Sequence, residues 1–474
     1  MTELGGILSG ARSACEREGN WQRMSRHVLS QLVCLGRHTI TGLTCTAGRQ
    51  FRDWSADYRL YSQDRFEAER VFDVIRDGIN AEKPSETPLV VALDDSLLRK
   101  TGRKIPGVSY RRDPLGPPFN VNFVRAQRVM QLSAAYDCGE GRARMIPIDF
   151  SHAPTATKPR RTAADSQWQH YREEQKRLNL SVQANRRVAT LREKLDKGSN
   201  HPRPLWVVVD GSYTNGRMLK NLPHSTVLTG RIRHDAKLYH LPRNPEHVGR
   251  RRVYGDRAAT PGEFLKDKSI PWQAVRAFGA GKYHDFKVKT ISPLRWRSAG
   301  GAHDLRLIVV APLAYRPRKG SRIFYRQPAY LVCTDTIAPV EKILQAYLWR
   351  WDIETNFRDE KTLLGVGQAQ VRSKTSVEKV PTLAVAAYAA LLLAGIRAFG
   401  NNKKPDFLPI PKWQSQMKDK RASTNDYIRE LRRELWAKAI RQCNFSHFVN
   451  HKYADMKPEK QSSSLHSALL YATG

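Results

Sequence analysis

PLVVALDDS (residues 88–96) and, more than a hundred residues later, PLWVVVDGSYTNG (204–216) are the two stretches on which the reading of this chain turns. Each holds an apolar run that fits a strand buried on both faces of a sheet, and each runs directly into an acid. The first ends in Asp94 and Asp95, the second in Asp210. Taken singly, such an Asp is most often a turn or helix-cap residue. Between the two lie strand-like segments at 126–136 (AQRVMQLSAAY) and 143–150 (ARMIPIDF), then a long charged segment over 163–197 that reads as one helix. Three strands, a helix and a fourth strand make an α/β unit that can bring both strand-end acids to one edge of a sheet.

A third stretch, YLWRWDIETNFRDEK (347–361), supplies another acid. At about 100° per helical residue, Tyr347, Arg350, Glu354 and Lys361 fall within a stripe roughly 60° wide. Asp352, Asp359 and Glu360 fall well off it, so Glu354 is the one carboxylate in the stripe, while Trp349 points away and should pack into the protein. The bland reading is a salt-bridged helix face. A single carboxylate among Arg, Lys and Tyr also suits metal-assisted chemistry on a phosphate backbone. Two acids at strand ends and a third on a later helix offer the oxygen ligands that Mg²⁺ prefers, and a pair of such ions activates the attacking oxygen and stabilises the leaving one.

Composition narrows the partner. The 474 residues include 80 Lys and Arg against 45 acids, a net charge of +35 spread along the sequence, with 40% hydrophobic residues to build a core. That balance points to a large polyanion, a nucleic acid before a membrane surface. Cysteines at 15, 34, 45, 138, 333 and 443 form no CxxC pair and no zinc-ligand spacing, which argues against a disulfide framework and a zinc finger. No signal peptide is visible at the N-terminus. The most apolar stretch, TLAVAAYAALLLAGI (382–396), is short for a membrane span and reads as a buried helix, so the expected setting is the cytoplasm.

Along the chain, residues 1–85 carry helical patterns, with Phe66, Val71, Phe72 and Ile75 on one apolar face, and suggest a small helical domain. Residues 86–214 hold the first part of the α/β unit. Residues 215–340 contain strand-like runs (STVLTGRI, DLRLIVVAPLAY, AYLVCTD) and basic loops (RNPEHVGRRR, YRPRKGSR), and read as an inserted β-rich subdomain. Residues 341–400 return to the core through the Glu354 helix and the apolar helix. Residues 401–474 form a basic region with a helix at TNDYIRELRRELWAKAIRQ, suited to DNA binding or dimerisation.

Tyr347, Arg350, Glu354 and Lys361 match without a gap the Y-x2-R-x3-E-x6-K signature of the insertion-sequence-four family, which the chain resembles. These are DDE transposases of bacterial insertion sequences. The context of the first acid (Asp94-Asp95-Ser96) and of the second (VVVDGSYTN, with Asp210 and Tyr213) is similar to the family's, and the likeness runs in order over most of 60–400. The resemblance implies an α/β, RNase H-like catalytic core interrupted by a β-rich insertion, with helical terminal regions, that cuts double-stranded DNA at transposon ends and joins them to target DNA. Asp94, Asp210 and Glu354 would be catalytic and ligate two Mg²⁺ ions, for which Mn²⁺ can substitute. Arg350 and Lys361 would grip phosphates beside the scissile bond, and Tyr347 would offer its hydroxyl to a phosphate. Asp95 stays an alternative first ligand, although the D-x-S/T context favours Asp94. A homodimer bridging both ends is expected, with the terminal regions on the terminal repeats. Trp296, Phe324 and Tyr325 are candidates to stack a flipped base, and none is assigned. A DNA-binding descendant without catalysis and a nuclease without strand transfer are the other readings.

Overall fold

The computed structural model describes residues 1–113, 116–117, 119–139, 141–197, 202–242, 252–301, 303–318, 320–400 and 421–442. The basic segment RNPEHVGRRR lies almost wholly outside these residues, as do 401–420 and 443–474 of the C-terminal region.

Helices α1 (Thr2–Gly10), α2 (Glu18–Val33), α3 (Ile40–Thr46), α4 (Ser55–Ser62) and α5 (Ala68–Asn80) precede the sheet. The central strands are β1 (Leu89–Arg99), β2 (Ser109–Arg112), β3 (Phe123–Gly139) and β4 (Arg142–His152). The expected single helix over 163–197 is two, α6 (Asp165–Arg177) and α7 (Leu180–Asp196). The break falls where the Asn179 side chain accepts from the Ser181 N–H at 3.1 Å and caps the second helix. Then come β5 (Leu205–Val209), the single turn α8 (Gly216–Leu219) and β6 (Thr226–Arg231).

In the sheet, β4, β3, β1, β5 and β6 are successive neighbours. Strands β1, β5 and β6 are parallel, and β3 is antiparallel to both β1 and β4. This mixed order is compatible with the RNase H-like core expected from the sequence. Strand β6 lies in the stretch read as insertion, yet it pairs directly with β5.

The rest of 215–340 contributes α9 (Pro261–Lys266), β7 (Gln273–Gly279), β8 (Lys282–Leu294), β9 (Leu305–Val310), β10 (Ala314–Tyr315), β11 (Phe324–Tyr325) and β12 (Ala329–Cys333). Strands β12, β9, β8 and β7 continue the same ten-stranded sheet beyond β6, while β10 and β11 pair only with each other. One face of these added strands buries Ile308, Leu331 and Cys333 in the same cluster as Val90, Ala92 and Val208 of the central strands. The other face builds a cluster of its own around Leu238, Phe264, Leu307 and Val332.

Two helices then cross the sheet, α10 (Val340–Trp349) and α11 (Asp352–Thr362), followed by α12 (Lys374–Phe399) and α13 (Thr424–Gln442). By length and composition α12 could cross a membrane, but most of it is buried inside the protein. It extends past the expected 382–396 and runs through Pro381. A proline inside a helix leaves the carbonyl four residues back without its donor. That carbonyl, on Val377, accepts instead from Gln127 Nε2 of β3 at 3.1 Å. Leu4, Met24, Val28, Val71, Phe72 and Ile75 of the N-terminal helices share one cluster with Val385, Leu392 and Leu393 of α12 and Val91 and Leu93 of β1. The N-terminal helices are thus walls of the common core.

Candidate active site

Strand alternation sorts the acids. In β1, Leu89, Val91 and Leu93 enter the cluster shared with the N-terminal helices, whereas Val90 and Ala92 enter the one beneath α10 and α11. Successive side chains point to opposite faces, so Asp94 projects toward α10 and α11 and Asp95 projects away. In β5 the same alternation, with Val209 on one side and Val208 on the other, puts Asp210 on the Asp94 face. Leu93 is in register with Val209 on neighbouring parallel strands. Asp94 and Asp210 therefore follow at the same level, one strand spacing of about 4.8 Å apart.

The third acid arrives on a bent element. The 347–361 segment is not the single helix assumed for the stripe. The N–H groups of Arg350, Trp351, Ile353 and Glu354 each bond the carbonyl three residues back, a tight turn that separates α10 from α11. Tyr347 and Arg350 thus end one helix, while Glu354 and Lys361 sit on the next. The bend still brings Arg350 to the acids, with guanidinium nitrogens 3.4 Å from Asp94 Oδ2 and 3.5 Å from Glu354 Oε1. Arg350 is only 6% exposed, and its guanidinium carbon lies 5.8 Å from the Tyr347 ring centroid and 5.3 Å from that of Trp351. Tyr347 is buried in the cluster beneath α10. Lys361 Nζ donates to Ser96 Oγ at 2.5 Å, two residues beyond Asp94 on the same face of β1. Trp349 donates its indole N–H to the Gly141 carbonyl at 2.7 Å, packed inward as its position implied.

The acids set aside in the stripe reading secure α11. Asp352 is paired with Arg421 at 3.2 Å and accepts the Met145 N–H, and Asp359 accepts from Thr424 Oγ1 at 2.7 Å. Asn356 donates to Ser133 Oγ and accepts from the Tyr388 hydroxyl.

A second network, which sequence reading did not assign, lies behind Asp94. The Asp95 N–H donates to Asp94 Oδ1 at 2.8 Å and orients that carboxylate. The Asp95 carboxylate accepts from the Tyr213 hydroxyl at 2.6 Å and pairs with Arg128 at 3.3 Å. Tyr213 follows Asp210 by three residues, so this bond ties the loop after β5 to β1. The available signal was its place in VVVDGSYTN. Asp210 itself accepts from the N–H and hydroxyl of Ser212.

Burial pushes the Asp94 carboxyl up to about 7, and the neighbouring Asp210 adds to the push against the pull of the Asp95 N–H and of Arg350. Glu354 is raised by burial and by Asp210, against the pull of Arg350. Burial holds the Tyr213 phenol high, with the Asp95 charge assisting, so it remains a donor. The Asp210 charge thus pushes both Asp94 and Glu354 upward while one guanidinium pulls both down, a site short of positive charge.

A family model described as DDE superfamily endonuclease matches residues 19–301, more than half of the chain. The chain belongs to the DDE superfamily endonucleases. The matched span of this DDE endonuclease contains Asp94 and Asp210 and ends before Glu354. No curated protein matches the chain. Such domains generally use divalent metal ions, and membership of the family implies DNA as the substrate and nuclease chemistry as the activity.

Among the described residues, no three His, Cys, Asp or Glu side chains are gathered tightly enough to hold a metal ion as they stand. The donor set nevertheless suits a hard cation. Asp94 and Asp210 are oxygen donors at adjacent strand ends, and the upward push on Asp94 is what a nearby divalent charge would relieve.

A cleft of about 1360 Å³ opens beside Asp210, lined by Gly211, Thr214, Arg231, Lys237, Tyr239 and Trp296 among others. Phe324 and Tyr325 lie instead on the small β10–β11 ribbon, where Tyr325 is exposed and Arg322 lies 4.6 Å from the Phe324 ring.

Proposed function

We propose that this endonuclease is a transposase of the insertion-sequence-four kind, which binds the terminal inverted repeats of a mobile element, cleaves DNA at its ends and joins them to target DNA. The observation that supports the reading is that Arg350 reaches both Asp94, at a strand end, and Glu354, at the start of α11, while Asp210 follows the parallel strand beside Asp94. The Y-R-E-K spacing adds to it, and so does the net charge of +35.

In this reading Asp94, Asp210 and Glu354 hold divalent cations, Mg²⁺ or Mn²⁺, which supply an activated oxygen nucleophile and charge stabilisation at phosphorus. The chain's own groups do the rest. The Asp95 N–H fixes one oxygen of Asp94, leaving the other toward Arg350. The Tyr213–Asp95 bond holds the two strand ends at constant separation, the preorganisation that in-line chemistry needs. Arg350 neutralises Asp94 and Glu354, and its planar fork would be matched to a phosphate oxygen of bound DNA. Lys361, held by Ser96, places a second cation along the same face. Tyr347 supports Arg350 from beneath. The chain acts as a homodimer, because both ends must be cut and inserted together. Residues 1–85 and the basic C-terminal region contribute to end binding.

Glu354→Gln should leave DNA binding within about twofold and reduce Mg²⁺- or Mn²⁺-dependent cleavage by at least ~10³-fold, the scale of losing an essential group at the reacting centre. Cleavage that survives the substitution removes Glu354 from the mechanism. A labelled target plasmid separates transposase from nuclease, since joined products form only in the first case. Wild-type protein that binds DNA without cutting it in either metal would point to a DNA-binding descendant.

A further inference from the structure

Beyond the end of β1, the sheet continues as a two-stranded ribbon of β2 and the start of β3, with Tyr110 opposite Arg125 and Arg112 opposite Phe123. Its side chains are unusual for a protein surface. Tyr110 is 72% exposed and Phe123 59%, and Phe119 in the connecting loop is 91% exposed. Arg112 is exposed too, the Arg125 guanidinium carbon lies 5.8 Å from the Tyr110 ring centroid, and Arg103 and Lys104 are exposed beside them. No acid stands opposite these aromatics in the ribbon register.

The register also says which way the ribbon faces. Asp94 is opposite Gln131, Ser96 opposite Val129 and Leu98 opposite Gln127. Directly opposed residues share a face and alternate residues of one strand share a face. Positions 131, 129, 127, 125 and 123 of β3 therefore lie on one side, and with them Tyr110 and Arg112. The aromatic and arginine row is on the face that carries Asp94. Between the two, the chain following α11 lies over the strands, with Gly367 against Leu98 and Val377 bonded to Gln127, and it exposes Arg372 and Lys374.

We propose that this ribbon is a contact surface for duplex DNA flanking the cut, with Tyr110 and Phe123 against sugars and base edges and Arg112 and Arg125 on phosphates. The inference rests on the reading of the chain as an enzyme that cuts DNA. From Gln131 to Arg125 is six strand residues and to Phe123 eight, or roughly 20 to 27 Å along the sheet. At about 3.4 Å per base pair, a duplex laid along this face meets the ribbon some six to eight base pairs from the scissile phosphate. Charge complementarity selects this occupant. A second copy of a chain at +35 would bring its own arginines to arginines.

The test uses the full-length protein and a generic 30-base-pair duplex. A photoreactive p-benzoylphenylalanine in place of Phe123 should crosslink to the DNA. The same group in place of Ile337 should not, because Ile337 is 90% exposed but follows β12 at the opposite end of the parallel strands from Asp94. Arg112→Ala with Arg125→Ala should also make the dependence of log affinity on log salt shallower by about 1.8, roughly 0.9 per phosphate released. A crosslink from position 123 into a second protein chain, equal DNA crosslinking at 123 and 337, or an unchanged salt slope would each overturn the assignment. Metal-dependent cutting without the crosslink removes the ribbon alone. A crosslink on a protein that never cuts removes the catalytic reading and leaves the surface.

Discussion

Asp94 carries the most information of any single residue, because burial displaces its titration well above the ordinary carboxylate range. Its folded value of about 7 lies above the ordinary 3.8, so between those pH values the folded protein keeps a proton that the unfolded chain has released. The stability tied to this group is complete below the unfolded value and is lost as pH rises through the folded one. Asp94→Asn stays neutral and should remove that slope. In metal-free buffer the variant should gain on the wild type by on the order of 4 kcal/mol by about pH 8, read as the difference between two denaturation series. Added Mg²⁺ should narrow the gap by stabilising the wild type alone. Parallel pH curves for the two proteins would show that Asp94 is not held as its surroundings imply. The choice between Asp94 and Asp95 as the acid facing Asp210 was open in the sequence, since adjacent strand residues differ only in face. Arg350 and Tyr213 distinguish them by bonding one each.

At the scale of elements, α12 shows how a local rule is overridden and then compensated. Pro381 would normally mark a helix boundary, and the apolar count begins just after it. The helix nonetheless starts at Lys374, since Gln127 takes the carbonyl that Pro381 leaves without a donor. Gln127→Met should therefore cost about 1–2 kcal/mol in chemical denaturation, the penalty for a buried carbonyl with no partner. Combined with Pro381→Ala, which restores the helix N–H, the same change should cost much less. Additive costs in this double-mutant cycle would show that the two residues do not share the carbonyl. The break between α10 and α11 belongs to the same scale. Nothing in 347–361 is a helix breaker, and the bend is a compromise among tertiary contacts. Asp352, Asn356 and Asp359 anchor α11 to β4, β3, α12 and the start of α13, while α10 is held over β7 by paired hydrogen bonds between Gln345 and Phe278.

For the whole molecule, the consequential feature is continuity. Residues 1–85 read as a small domain, but Leu4, Met24, Val28 and Phe72 are packed into one core with α12 and β1. A chain starting at residue 86 would leave the apolar face of α12 in water. It should be recovered as aggregate or as a species without a cooperative transition, as tested by sedimentation and thermal melting. A soluble truncated protein with a sharp transition would mean that the helices form a separable unit after all. Most strands of 215–340 are likewise part of the central sheet, so the loops around the cleft beside Asp210 are carried on a rigid extension of the strands that carry the acids.

Local chemistry made much of this legible in advance. The apolar runs at 89–93 and 205–209 are strands because both their faces are buried, the acids follow them in the chain, and the Tyr347, Arg350, Glu354 and Lys361 spacing stands in the sequence whatever the backbone does. Strand β2, the bend after Trp349 and the sharing of one core by the N-terminal helices and α12 were not legible. Each depends on contacts between residues tens to hundreds of positions apart, and no window of sequence holds both partners. The sequence by itself determined which residues are candidates to hold cations and phosphates. Only the tertiary structure decided which face of the sheet they share, because a strand's alternation fixes two faces without saying which one a later helix will cover.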